Sequence, residues 1–230
     1  MKKLLITIFA STALFFNVAN ADVSGFGVGI SVSNNDLDTS VTDDIDSNGS
    51  IDTTKNLSDK VTAGSIFGEL TRVAPSGVLA ITLGVDYIPV DADLDKRSTT
   101  QSTVKAKADG AASSGTNSGQ ASIEDHFTLY VQPGYLLNEN TMLYGTLGRV
   151  RADISAKAVS VSSTDFTKVQ TLDGFVYGIG AKHVRDNGIF IKLDYKQTDY
   201  DAVSYTTTNS TKVTGDIDNT ALSLSVGKSF

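Results

Sequence analysis

From residue 23 onward the chain alternates. In Val23–Ser33, Phe26, Val28, Ile30 and Val32 fall on one face, and Gly25, Gly27, Gly29, Ser31 and Ser33 fall on the other. A period of two is the signature of a strand with two unlike faces. The pattern recurs in 78–88, where Leu79, Ile81, Leu83, Val85 and Tyr87 oppose Ala80, Thr82, Gly84 and Asp86. In 123–133, Phe127, Leu129 and Val131 oppose His126, Thr128, Tyr130 and Gln132. In 174–183, Phe175, Tyr177, Ile179 and Ala181 oppose Gly174, Gly178, Gly180 and Lys182. In 189–198, Ile189, Ile191, Leu193 and Tyr195 oppose Lys192, Asp194 and Lys196. In 220–230, Leu222, Leu224, Val226 and Phe230 oppose Ala221, Ser223, Ser225 and Gly227. Two further strands are less clean. In 62–72, Ile66 and Leu70 share a face with Gly64 and Gly68, which leaves Glu69 with Phe67 on the other. In 141–154 both parities are open. Leu143 and Leu147 favour one, and Met142, Val150, Ala152 and Ile154 favour the other. The second is preferred; it turns Arg149 and Arg151 inward and leaves room for a bulge between the two halves.

The count is eight strands of about ten residues, the length a tilted strand needs to cross a bilayer. Their connections alternate in length. Ala74-Pro75-Ser76-Gly77, Leu137-Asn138-Glu139-Asn140 and Arg185-Asp186-Asn187-Gly188 are tight-turn sequences. Segments 34–60, 90–121, 155–171 and 200–218 are long. Lys105 to Ser122 is an Ala/Ser/Gly/Thr tract with little to bury, expected to be poorly structured. Long loops at one end and short turns at the other match outer-membrane barrels, with the loops facing outside. The expected fold is therefore all-β: a closed, antiparallel, eight-stranded, up-and-down transmembrane β-barrel.

A soluble barrel would place its apolar face inward and its glycines on the outside. Mid-strand glycines on a solvated face weaken strands without return. Inside a narrow barrel they make room for bulky side chains opposite. Tyr87, Tyr177, Tyr195 and Phe230 lie towards strand ends on the apolar face, as interfacial girdles do. The membrane form is favoured.

The N-terminus has its own organisation. Lys2 and Lys3 precede an apolar run, Leu4 to Phe16, then Ala19-Asn20-Ala21. This is the three-part pattern of a secretory signal peptide, and the run is too short for a spanning helix. Residues 1–21 are expected to be removed and 22–230 to form one barrel domain. The precursor carries −7; losing two lysines leaves 17 basic against 26 acidic residues. Such an acidic chain repels phosphate backbones, so no nucleic-acid partner is expected. There is no cysteine, which excludes disulfides, thiol catalysis and thiolate metal sites.

The last strand ends in Phe230 with Val226 and Leu224 at alternate positions. Leu129–Tyr135, Asn138–Gly148, Asp173–Gly180 and Leu193–Tyr200 follow in order. By these segments the chain resembles the OmpA/OmpX/opacity-like outer-membrane barrel family over most of 22–230. The resemblance implies a Gram-negative outer membrane, lipid around the barrel, and recognition of the terminal strand by the barrel assembly machinery. Lys228 departs from the family's usual apolar residue there. No peptidoglycan-binding segment follows the barrel, so a cell-wall tether is not implied.

Candidate chemistry is sparse. Glu69, Asp86, Lys182, Lys192, Asp194 and Lys196 are expected inside, where buried charges must pair; Lys192 with Glu69 or Asp86 is the expected pair. Asp44, Asp46, Asn48 and Asp52, with Gly49, match the first nine positions of a calcium loop, but Lys55 replaces the bidentate Glu at position 12. A weak calcium site is the alternative to a solvated acidic loop, and no other cofactor is expected. Gly25-x-Gly27-x-Gly29 lies within a strand and is not a nucleotide loop. His126, near Ser122, and His183 form no recognisable catalytic set, so no enzyme is expected. The leading functional reading is a structural barrel that displays its loops for surface interaction or envelope integrity. The second is a small porin-like channel, and the third an envelope enzyme.

Overall fold

The short turns fold as their residues dictate. The Gly77 amide donates to the Ala74 carbonyl (2.9 Å) and the Gly188 amide to the Arg185 carbonyl (2.7 Å). Both glycines take positive φ (71° and 78°), which a Cβ would strain. Asn138 Oδ1 accepts from the Asn140 amide (3.0 Å), an Asx turn that closes the short hairpin between them.

A computed structural model describes residues 23–44, 49–89, 92–93, 97–105, 112–160, 163–206 and 212–230. The elements are β1 (Gly25–Asp44), β2 (Thr53–Val73), β3 (Leu79–Ile88), β4 (Ala92–Asp93), β5 (Arg97–Lys105), β6 (Ala112–Asn138), β7 (Thr141–Ser160), β8 (Ser163–Val184), β9 (Ile189–Tyr200), β10 (Val203–Thr206) and β11 (Lys212–Ser229). They form one antiparallel sheet in the order β1-β2-β3-β6-β7-β8-β9-β11, and β11 pairs back onto β1. That closure leaves eight staves and no free edge, the condition for backbone to survive in lipid. β4 and β5 prolong the β3 stave along β6, and β10 prolongs β9 along β11.

The staves are longer than periodicity predicts. β1 has 20 residues, β6 has 27 and β8 has 22. Much of what reads as long loop is ladder: β1 pairs with β2 as far as Asp43 opposite Thr53. The described part of the tract expected to be poorly structured, residues 112–122, is paired too, with Ser118 opposite Val159 and Thr116 opposite Thr100. Small polar residues lack the apolar face that marks a strand in sequence. Between two neighbours they still satisfy their backbone groups along the ladder.

Facing follows the alternation, outside-out. Leu83, Leu129, Ile179, Leu193 and Leu224 project outward in a belt, with Ile179 66% exposed. Phe175, Tyr177 and Tyr195 stand towards its rim on the long-hairpin side. On β2, Ile66 and Leu70 face out while Phe67 and Glu69 are buried.

On β7 the preferred parity is corrected. Met142, Tyr144, Val150 and Ala152 point inward; Leu143, Leu147, Arg149 and Arg151 point outward. Apolar side chains are wanted inside here because the lumen has two apolar layers, and Met142 fills one while Val150 and Ala152 fill the other. Arg151 lies beyond the belt, where its Nε meets Asp173 Oδ1 at 2.8 Å in solvent. Hydrogen bonding and attraction from Arg151 hold the Asp173 carboxyl below its ordinary value. β7 runs in unbroken register with β8 from Thr141 to Ala158, with no bulge between its halves. A bulge lies instead in β6 at Glu124–Phe127, where Asp125 has φ 49° and the alternation shifts by one residue, so that Ile123 and His126 both face the lumen.

Candidate functional site in the barrel lumen

Small residues on the inner face admit large ones opposite. A Cβ on Gly84 would lie 2.3 Å from the Tyr130 ring, and one on Gly180 would lie 2.6 Å from the Tyr144 ring. Each glycine is the cross-strand partner of its aromatic residue. The rings therefore lie across glycine and bring their hydroxyls to the lumen centre.

Those hydroxyls meet charge. Glu69, from β2, has a side chain with 0% exposure. Its Oε1 accepts from Lys182 Nζ (2.9 Å) and its Oε2 from Lys192 Nζ (2.7 Å) and the Tyr130 hydroxyl (3.3 Å). Lys192 also reaches Gln132 Oε1 (3.4 Å), and Gln132 donates to Thr146 (3.1 Å). The Tyr144 hydroxyl donates to Asp194 (2.7 Å). Lys182 Nζ lies 4.3 Å from the Phe190 centroid, and Lys192 lies between the rings of Phe67, Tyr144 and Tyr130 at 5.2–5.5 Å. Two ammonium groups on one carboxylate, ringed by four aromatic faces, form a dense septum across the barrel.

The rest of the lumen is layered about this septum. Towards the short turns lies an apolar floor of Val23, Phe67, Ala80, Met142, Tyr144, Val184 and Phe190. On the other side is a cavity of about 80 Å³, walled by polar groups such as Ser31, Asn35 and Lys196 together with apolar ones such as Val61, Ile88 and Val176. That volume has room for several waters. Asp86 and Lys196 line it, and Ser65 donates to Asp86 at 3.0 Å. A second apolar layer, Leu37, Ile123, Val150, Ala152, Leu172, Tyr200 and Ile217, packs the half nearer the long hairpins, and its Leu37, Ile123 and Tyr200 also wall the cavity.

The structure thus brings Glu69, Lys182 and Lys192 into direct contact. Asp194 adjoins them through Tyr144, and Asp86 and Lys196 lie beside the cavity. Tyr144 is not among the residues the sequence places inside, because the parity preferred for β7 turns it outward. The pairing of Tyr144 with Gly180, repeating Tyr130 with Gly84, is a signal that could have set it. His126 shares a hydrogen bond with the Tyr200 hydroxyl (3.0 Å), Ser122 donates to Glu124 (3.2 Å), and His183 meets Thr141 (3.0 Å). No serine–histidine pair forms among these.

Of the calcium candidates, Asp44 is buried and its Oδ2 accepts from the Gly49 amide (2.9 Å), and Asp52 is exposed. Asp46 and Asn48 lie outside the described residues, as does the proposed leader, 1–21. Among the described residues no cluster of three or more histidine or acidic side chains is arranged to hold a metal.

The sequence matches the family model described as outer membrane protein beta-barrel domain over residues 4–230. The chain belongs to this family. It is an outer-membrane protein, seated in that bilayer's lipid. Among solved structures it is similar to Ail of Yersinia pestis, at 14% identity over 87% of this chain and 99% of that one, with a TM-score of 0.34. It is also similar to the outer membrane protease OmpT of Escherichia coli (10% identity, 90% and 97% covered, TM-score 0.49). A third is Neisserial surface protein A (12%, 87% and 97%, 0.40). No curated protein matches it.

Proposed function

We propose that this family member is a non-conducting structural barrel that holds extended β-hairpins above the outer membrane for surface interaction. The observation that carries the reading is stave length. A tilted strand crosses the bilayer in about 9–11 residues, yet β1, β2, β6, β7, β8 and β11 have 18 to 27. Roughly half of each therefore stands in the medium, stiffened by its ladder and by the upper apolar layer. The filled lumen supports the same reading against a channel, since an eight-stranded barrel is only wide enough for its own side chains.

The reading includes removal of 1–21, recognition of β11 and Phe230 by the assembly machinery, and an extracellular ligand at the hairpin tips. It includes no catalytic step. Calcium, if it binds Asp44 and its neighbours, does so weakly; calorimetry should then give heat that Asp44→Ala abolishes, and equal heats would dismiss the site.

The test is a pair of measurements on the refolded 22–230 chain and on cells that display it. In planar bilayers the inserted barrel should be silent; reproducible unit steps would instead establish the channel. Cells carrying hairpins cut back to the belt should insert the barrel and lose adherence to matrix-coated surfaces. Adherence unchanged by that truncation would refute display.

A further inference from the structure

The residues ahead of β1 do not run on along the wall. Gly25 pairs with Thr71 of β2, and its φ of +105° turns the preceding backbone inward. Space there is restricted as well: a Cβ on Gly25 would lie 2.4 Å from the Phe230 carbonyl oxygen. Beyond that hinge, Val23 is 0% exposed and belongs to the apolar floor with Met142, Val184 and Phe190. Its amide donates to the carbonyl of Glu139 (3.3 Å), in the turn between β6 and β7. The ring order places β7 four staves from β1, on the opposite wall. The chain therefore crosses the short-turn mouth of the barrel from one side to the other. Ser229 Oγ fastens its near end by donating to the Ser24 carbonyl (3.1 Å), and Asn140, beside the catch, ties to Val184 through two hydrogen bonds, 2.8 and 3.0 Å.

We propose that Val23–Gly25 is a strap that shuts the periplasmic mouth of the lumen, with Gly25 as hinge, Val23 as wedge and the Glu139 carbonyl as catch. It seals the side of the charged septum that the upper apolar layer does not. A valine with no exposed surface is costly to bring into water, so the closed position is the stable one. An amide that would otherwise be orphaned at the barrel mouth is satisfied at the same time. The inference does not depend on what the hairpins bind.

The chain has no native cysteine, so one introduced thiol reports the floor cleanly. Thr71 is fully buried beside Gly25, and cysteine is close to it in size. In the refolded barrel, with insertion confirmed by heat-modifiable migration, Thr71→Cys should react slowly with a small charged thiol reagent. Adding Val23→Gly, or Gly25→Ala to unseat the hinge, should speed labelling at least tenfold. Adding Val23→Ile should leave it within about twofold, because the wedge remains. Lys60→Cys, exposed on the far end, should label equally fast in every background. Equal rates for Thr71→Cys with and without Val23→Gly would overturn the strap, and so would opening by Val23→Ile to the same degree as by Val23→Gly.

Discussion

Removing the Glu69 carboxylate tests the septum most directly. At an effective dielectric near 20, each Lys–Glu69 contact at 2.7–2.9 Å is worth about 6 kcal/mol of gross attraction. Desolvation of the three ions takes back several kcal/mol apiece, so the intact cluster contributes little net stability. Glu69→Ala changes that balance. It removes the attraction and leaves two ammonium groups in a lumen where Glu69 is fully buried and Lys182 is 2% exposed. Lys192 keeps Gln132 and its aromatic neighbours, and Lys182 keeps the Phe190 face, which offset part of the loss. The expected cost is about 3–5 kcal/mol. Urea titration of the barrel in lipid vesicles, followed by far-ultraviolet dichroism and by heat-modifiable migration, reads it as a fall in midpoint at constant slope. The triple change Glu69→Leu, Lys182→Met, Lys192→Met should recover most of that loss, since apolar residues of similar volume replace a buried triad at little or no cost. A Glu69→Ala barrel within about 0.5 kcal/mol of the parent would refute the argument, because a hydrated cluster would lose no more than an exposed pair does.

Other sites give independent checks. Gly84→Ala should cost about 1–3 kcal/mol through overpacking against Tyr130, and Tyr130→Leu in the same chain should relieve it in the same titration. Leu83→Arg, at a position 57% exposed, would be harmless on a soluble barrel; in lipid it should cost about 2–4 kcal/mol if Leu83 lies near the midplane, and less in a short-chain micelle. Asp218 stands directly opposite Asp38 and Asp199, and partial desolvation with repulsion from Asp216, Asp199 and Asp38 raises its carboxyl above the ordinary value. A carboxyl raised in the folded state opposes folding while ionised, and that penalty fades as pH falls through the raised value. Asp218→Asn should therefore stabilise by about 0.5 kcal/mol at neutral pH, and the advantage should shrink on acidification towards the usual carboxylate range near 4; a gain that holds or grows in acid would contradict the sign.

The sequence by itself determined the architecture, because facing along a strand is a local property. Leu79 to Tyr87, or Ile189 to Tyr195, alternate against small and charged residues however the strand is paired, and the Pro/Gly/Asn turns state which ends are tight. It also named the six lumen charges by facing alone. Partnership among them was decided only by the tertiary structure: Glu69 meets lysines 113 and 123 residues away. Which inward side chains share a level depends on the stagger of eight staves, and no window of sequence contains that stagger. The same limit explains β7. Met142 and Val150 are as apolar as lipid-facing residues, and only the apolar layers assembled from other strands show that they belong inside. It explains the stave lengths too, since small polar residues carry no facing signal and become strand through neighbours on both sides. The strap follows the same rule, because Val23 reads as the first residue of an alternating run until closure of the ring sets Glu139 across from it.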